Sequence, residues 1–399
     1  MHIAWLGKKS PFCGNVTYGL STTEALRQRG HAVSFIHFDT PTPSLGRPEA
    51  GAGELDPPGG PEANPEVALP YLVKSQVYTI PSPGAQRELR ESLERLRPDL
   101  VHASLTLSPL DFLLPDLCQQ LGLPLVATFH PPFDASLRNL TAGTQQLTYQ
   151  LYAPSLARYD RVIVFSEIQA EVLQRLGVPP ERLAVIPNGV DTTLWRPGHP
   201  SSDSPELTEL RRRFAGQRVF LYMGRVATEK NVEALLKAWK LVRPAGCVLV
   251  IVGDGPARGA LQQSIGDEHG VIWWGYEPSL ERRVAFQQLA EVFVLPSLVE
   301  GLSLALLEAM AAGSACVATD AGADGEALDG GAGIVISTQG VTTQLRTLLP
   351  VLRDQPVLTA ELGRRARARA LERYTITANI DALEALYGQM LGQRKALAA

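Results

Sequence analysis

The stretch RVFLYMGRVATEKNVEALLKAW, residues 218–239, opens with an apolar run that stops at Gly224. It then carries Arg225 and Lys230 across a short connection and continues, from about Asn231, with apolar residues at helical spacing. A fully apolar strand followed by an amphipathic helix is the repeating unit of a parallel sheet. Two cations at the carboxyl end of such a strand, beside a helix start, suit a diphosphate. Arg offers a planar fork of donors, Lys a point charge, and the helix its unpaired N–H groups. A solvated loop with a Glu229–Lys230 surface pair explains the same residues, and the stretch by itself leaves both readings open.

Outward from it the unit recurs. Towards the C-terminus, apolar runs at 247–253, 271–275, 292–297, 315–320 and 333–337 predict further strands, and towards the N-terminus runs at 2–7, 32–38, 100–104, 124–130, 161–166 and 183–189 predict another set. The Pro, Gly and Ser cluster at 197–205 separates the two sets. The expected architecture is α/β, with two doubly wound Rossmann-like domains, 1–196 and 197–374, facing across a cleft, and a final helix, 375–399, packing back towards the first. Ligands of such sheets bind beyond the carboxyl ends of the strands. Residues 40–66 are rich in Pro and Gly and hold no aromatic, which predicts a mobile loop.

With 399 residues, 45% of them hydrophobic and 20% charged, the chain is long enough for two ordinary cores. A net charge of −4 argues against a nucleic-acid partner, which would call for a basic surplus. The four cysteines, Cys13, Cys118, Cys247 and Cys316, have no metal or disulfide spacing and fit a reducing, cytoplasmic compartment. Neither a signal-peptide core nor an apolar run of about 18 residues occurs, so any membrane contact is expected to be peripheral.

A second stretch, PSLVEGLSLALLEAMAAG at 296–313, places Glu300 and Gly301 in a loop after a strand. It then starts a helix with Ser303 as N-cap, closes it near Gly313, and sets Glu308 about one and a half turns in. Two carboxylates around a helix start can accept from the vicinal hydroxyls of sugars. Dipole complementation and a half-exposed helix acid account for them equally well. VLVIVGDGPARG, 248–259, loosely imitates a dinucleotide fingerprint, but its glycine spacing is one residue too long and no ribose-binding acid follows. A tight turn is the expected reading there, and no cofactor is implied.

Taken together, GRVATEKN, the E-x7-E of 300–308, VIPNGVD (185–191), VGDGP (252–256) and VATDAGADGEAL (317–328) resemble the family-four retaining glycosyltransferases of GT-B fold, in the family's order and over nearly the whole chain. The resemblance implies a nucleotide diphosphate sugar donor whose diphosphate meets Arg225 and Lys230 beyond Gly224. It implies that Glu300 holds donor-sugar hydroxyls and Glu308 the ribose, and that the backbone of Gly301, Leu302, Ser303 and Leu304 meets sugar and phosphate. In the first half it implies that Gly14 and Asn15 form the turn facing the diphosphate and that His130, ending ATFHPPF, stands near the anomeric carbon. Catalysis would then rest on His130, Arg225, Lys230 and Glu300 without a metal. Ser303 and Ala305 replace the family's frequent Gly and Pro, and Ala323 one glycine of a common pair.

The opening, residues 1–39, further resembles the cyanobacterial digalactosyldiacylglycerol synthases, which implies a lipid acceptor at a membrane surface. Residues 108–117, Phe12 and Phe133 are the apolar surface that reading would use, and the Arg-bearing segments 87–97 and 364–369 its contacts with anionic headgroups. Core packing and solvated helix faces explain the same residues. A soluble acceptor, or a sugar-nucleotide epimerase on the same fold, are the alternatives, though no paired acid and base for an epimerase stand at the anomeric site.

Overall fold

In the computed structural model, which describes residues 1–10, 14–39, 65–75, 77–134, 140–199 and 203–398, the apolar runs become two parallel sheets. The first contains β1 (His2–Gly7), β2 (Ala32–Phe38), β3 (Glu66–Leu69), β6 (Leu100–Ser104), β7 (Leu125–Thr128), β8 (Arg161–Val164) and β9 (Leu183–Val185), in the order β3-β2-β1-β6-β7-β8-β9. Between β3 and β6 a separate antiparallel hairpin forms from β4 (Tyr71–Lys74) and β5 (Thr79–Pro81). The second sheet contains β10 (Arg218–Met223), β11 (Cys247–Val252), β12 (Val271–Gly275), β13 (Val292–Leu295), β14 (Ala315–Thr319) and β15 (Ile334–Ile336), in the order β12-β11-β10-β13-β14-β15. Strands such as CVLVIV are buried throughout because helices cover both faces of a parallel sheet.

The strand order reverses between β1 and β6 in one sheet and between β10 and β13 in the other. At such a point the connecting helices leave to opposite faces, and a crevice opens at the carboxyl ends. Strands β3, β4 and β5 are absent from the sequence-based assignment. Each has three or four residues, and β4 and β5 are largely exposed, so none presents a buried run. The expected loop at 40–66 lies outside the described residues up to 64, and Glu66 already belongs to β3.

Two chain passages join the domains side by side. Val190 donates to Tyr374 O at 2.9 Å and accepts from Ile376 N–H at 2.9 Å, a short parallel bridge between the outgoing and returning backbone. Thr192 and Trp195, expected in the first domain, are already fastened to the second: Arg367 donates to their carbonyls at 3.1 and 2.9 Å. The final helix, Ile376–Ala398, returns to the first domain. There Arg29 meets Asp381 at 2.7 Å, His31 meets Glu384 at 2.7 Å, and the Tyr387 hydroxyl reaches the buried His102, whose ring stacks on Trp5. Among the described residues no helix is long and apolar enough to cross a membrane.

Gly189 makes this double passage feasible. A Cβ there would lie 2.6 Å from Thr375 O and 2.7 Å from Ile376 Cα, both backbone atoms that cannot swing aside. Gly189→Ala is therefore expected to destabilise by about 1–3 kcal/mol through overpacking, read as a lower midpoint in thermal unfolding.

Candidate active site

The loops that follow β10 and β13, the two strands flanking the crevice of the second domain, are stitched to each other. The Tyr222 hydroxyl, at the end of β10, donates to Arg225 O at 2.7 Å, and the Arg225 guanidinium pairs with Glu229. A short 3-10 turn, Thr228–Lys230, follows, and the chain reverses at Asn231 in the left-handed region (φ 52°) before the helix Val232–Val242. Asn231 donates its amide to Pro296 O at 3.2 Å, while Leu298 N–H donates to Glu229 O at 2.8 Å. Lys230 is thereby delivered to the β13 loop, where its ammonium lies 2.6 Å from Glu300 Oε1. Ser297 Oγ donates to the same oxygen at 2.8 Å.

The Glu300 loop is braced from behind. Gly322 (φ 58°) passes so close that a Cβ would sit 2.1 Å from Glu300 O, and Ala323 N–H donates to Gly301 O at 2.7 Å. Asp324, fully buried, accepts from Ser303 N–H at 2.9 Å. Ser303 then caps the helix Leu304–Ala312 with its hydroxyl on Leu306 N–H, and Gly313 closes that helix in the left-handed region. Burial drives the Asp324 carboxyl well above its ordinary pKa, and the nearby charge of Glu300 adds to the rise. Glu308 faces the cavity from the second turn, and burial pushes its pKa up to about 8 against the partial opposition of Arg283.

Across the cleft the ends of β1, β6 and β7 supply a polar chain. The Asn15 amide donates to Leu105 O at 2.9 Å, which fixes its oxygen as the acceptor of the Ser104 hydroxyl at 2.8 Å. With its proton committed to Asn15, Ser104 Oγ accepts from His130 Nε2 at 2.8 Å. His130 is therefore the Nε2–H tautomer and keeps Nδ1 as an acceptor. Its ring lies between Tyr18 and Phe165, with centroids 4.9 and 5.2 Å away. Burial, assisted by Lys8, holds its pKa near 3, so it stays neutral.

The two halves touch. Phe133 N–H donates to Glu300 O at 2.8 Å, and Asn188, the asparagine of VIPNGVD, donates to Leu302 O at 2.9 Å. Between them lies a cavity of about 950 Å³. Its walls contain Gly14, Asn15, His130, Gly224, Arg225, Lys230, Glu300, Gly301, Leu302, Ser303, Leu304 and Glu308, every residue singled out in the sequence for the site.

Ser104, Asn188 and Asp324 were not singled out. Asn188 and Asp324 stand inside quoted motifs, yet only the fold shows that their side chains hold backbone of the opposite loop. The imitation fingerprint is a packed turn: a Cβ on Gly253 or Gly255 would fall 1.9 or 2.3 Å from a carbonyl oxygen of the Gly224–Val226 segment. Of the leucines expected to face lipid, only Leu113 is exposed. Leu110, Leu114 and Leu117 are core, Phe133 is buried, and Phe12 lies outside the described residues. On the two arginine segments Arg87, Arg90, Arg364 and Arg365 pair with neighbouring glutamates along their own helices, as solvated faces do.

Glu308 gives the site a pH signature. Its carboxyl ionises near the ordinary 4.5 when unfolded but near 8 when folded. Between those values the unfolded chain gives up a proton that the folded chain keeps, so stability falls as pH rises through the window. Glu308→Gln is expected to remove that loss, worth on the order of 3 kcal/mol. The variant's unfolding midpoint relative to the parent should rise from pH 5 to pH 8; a constant difference would show that Glu308 is not the titrating group.

The comparisons with known proteins bear on the fold and the family. The family model described as Glycosyltransferase Family 4 matches residues 14–194, and the one described as Glycosyl transferases group 1 matches residues 217–354. The alpha-maltose-1-phosphate synthase of Mycolicibacterium smegmatis is 28% identical over 271 residues, covering 64% of this chain and 70% of that one. The alpha-monoglucosyldiacylglycerol synthase of Streptococcus pneumoniae is 27% identical over 219 residues, 51% of this chain and 47% of that one. In fold, the crystal structure of Anabaena HepE in complex with UDP-glucose superposes with a TM-score of 0.75 at 18% identity, over 97% of this chain and 100% of that one. The chain is thus a glycosyltransferase of GT-B fold, with a Glycosyltransferase Family 4 domain first and a Glycosyl transferases group 1 domain second.

Proposed function

We propose that the enzyme is a retaining hexosyltransferase that takes a hexosyl group from a nucleotide diphosphate sugar, UDP-galactose or UDP-glucose, to a hydroxyl of a membrane galactolipid. The observation that carries the reaction type is the Lys230–Glu300 pair, set 2.6 Å apart at the mouth of the β10/β13 crevice. A cation for departing phosphate and a carboxylate for sugar hydroxyls stand side by side there. Each cation is held by an acid, Arg225 by Glu229 and Lys230 by Glu300. An entering diphosphate competes for both cations and so frees Glu300 to accept from the sugar.

The chemistry follows from charge. As the bond from the anomeric carbon to phosphate breaks, negative charge develops on the leaving oxygen beside Arg225, Lys230 and the start of the helix Leu304–Ala312. The acceptor oxygen bonds to the same face of that carbon, and its proton passes to the departing phosphate. Neutral His130, with Nδ1 as acceptor, fixes a sugar hydroxyl without placing a second cation beside an oxocarbenium-like centre. Glu308 accepts from the ribose. No step draws on a metal.

The lipid acceptor is supported by the match to a glucosyldiacylglycerol-forming relative and by the opening residues, whereas the match to a maltose-phosphate-forming relative supports a soluble acceptor. Incubation with labelled UDP-galactose and monogalactosyldiacylglycerol, followed by thin-layer separation, is expected to yield the digalactosyl lipid. Glu300→Gln and Lys230→Ala should each lower kcat by about 100-fold or more, and Lys230→Ala, which leaves the buried Glu300 charge without its cation, should also lower the unfolding midpoint. Product on soluble sugars alone would overturn the lipid acceptor, and a new sugar nucleotide formed from donor alone would make the enzyme an epimerase.

A further inference from the structure

The first domain carries an apolar surface that its core does not use. The helix Leu140–Leu156 has no charged residue in its 17 positions. Leu140, Leu147 and Leu151, at helical spacing on one face, are 93%, 64% and 64% exposed. A surface helix ordinarily turns charge to water on that side. The β4–β5 hairpin does the same in another geometry, with Leu72 65% and Val77 55% exposed and Ile80 beside them. Its one charged residue, Lys74, is turned back to Phe38 O at 2.7 Å and over the Tyr71 ring.

Both elements are seated on the same short segment. Thr79 N–H, in β5, donates to Leu107 O at 3.4 Å, and β5 packs on the 3-10 turn Pro109–Phe112. From the other side Tyr152 of the helix donates to Asp111 at 2.9 Å and sets its ring 4.6 Å from Phe112. The two exposed faces therefore flank one support, and Leu113, also exposed, stands at its end.

This surface is continuous with the active-site cavity: Val77 belongs to both the exposed hairpin and the cavity wall. That continuity bears on what covers it. A second protein seated over Val77 would close the cavity on the acceptor side. A lipid layer would instead present acceptor hydroxyls at its opening while its acyl region takes the leucines. The absence of charge from both faces also leaves nothing for an acidic or basic peptide to pair with.

We propose that the exposed faces of the helix Leu140–Leu156 and of the β4–β5 hairpin insert into the interfacial region of a lipid bilayer and so hold the cleft opening against the membrane. This rests on the reading of the acceptor as a lipid, and it differs from the sequence expectation in placing the apolar contact on this helix and hairpin rather than on residues 108–117, Phe12 and Phe133, and in using neither arginine segment.

Flotation with phosphatidylcholine vesicles free of galactolipid tests the surface separately from the acceptor. The enzyme is expected to float with the vesicles at 0.15 M NaCl and equally at about 0.5 M, because no exposed charge is screened. Leu140→Gln/Leu147→Gln/Leu151→Gln and, independently, Leu72→Gln/Ile80→Gln should lower the bound fraction by roughly tenfold or more. Both should keep the parent's unfolding midpoint and its transfer to detergent-dispersed acceptor. Binding that is unchanged by either variant, that needs anionic phosphatidylglycerol, or that is lost at high salt would overturn the proposal. So would a dimer in sedimentation equilibrium that these substitutions dissociate, since a second copy would then be the occupant. If the enzyme binds vesicles yet transfers only to soluble sugars, the surface stands and the galactolipid acceptor falls.

Discussion

Lys230 and Glu300 come from loops 70 residues apart in sequence, and the site exists only because their strands, β10 and β13, are neighbours where the sheet order reverses. A nearly buried carboxylate such as Glu300 must be compensated, since a partnerless charge in that setting costs several kcal/mol. Lys230 and Ser297 supply the compensation on one oxygen. Asp324 is held in a different way. It lies close enough to Glu300 and Lys230 for their charges to act on it, and it would compete for the same ammonium if it ionised. Its burial raises its pKa well above the ordinary carboxyl value, and it holds Ser303 N–H through Oδ1. The loop that bears Glu300 and the helix that follows are thus fixed by two carboxyls in different settings, Glu300 against Lys230 and Ser297, and Asp324 against Ser303 N–H.

The same economy governs how the domains meet. Among the described residues, Phe133 to Glu300 and Asn188 to Leu302 are hydrogen bonds across the cleft, each ending on backbone of the loop that carries the site. The firmer junction lies away from the cavity. There the double passage at Val190 and Thr375 and the return helix Ile376–Ala398 tie the second domain's end to the first domain's Arg29, His31 and His102. Relative motion about that junction would open the cavity by breaking two hydrogen bonds while leaving both cores intact. The bonds that break are the ones that set Glu300 and Leu302 opposite His130.

How far the sequence foretold this follows from how each signal is encoded. A buried parallel strand is a local property, so twelve runs such as RVFLYM and CVLVIV announced themselves, with some ends overrun by one to four residues where the apolar run continues into the loop, as at 292–297. The strand β3 and the hairpin lack such runs. Site residues on motif loops were legible because their spacing from a strand end is local as well. Ser104, Asn188 and Asp324 act through contacts between segments 21 to 114 residues apart, and no local pattern reports such a contact. The apolar surface was legible in composition but misplaced. The leucines of 108–117 and those of 140–151 look alike as sequence, and only packing decides that Leu110, Leu114 and Leu117 fill the core with Tyr149, Tyr152 and Tyr159 while Leu140, Leu147 and Leu151 face outward.

That contrast divides the cleft chemically. On the side of the second domain its walls bear charge held in pairs, Arg225 with Glu229 and Lys230 with Glu300, groups that favour a hydrated, anionic ligand and release their partners when one enters. On the other side the polar groups end at His130, which is neutral, and the wall runs through Pro132 to Val77 and out to a chargeless surface. The proposed reaction would join a nucleotide sugar to a lipid, ligands with opposite solvation requirements, and would call for desolvating the sugar's anomeric centre without dragging acyl chains past charges. Setting charge and apolar surface on separate domains meets both requirements, with the boundary at the line where Glu300 O accepts from Phe133 N–H.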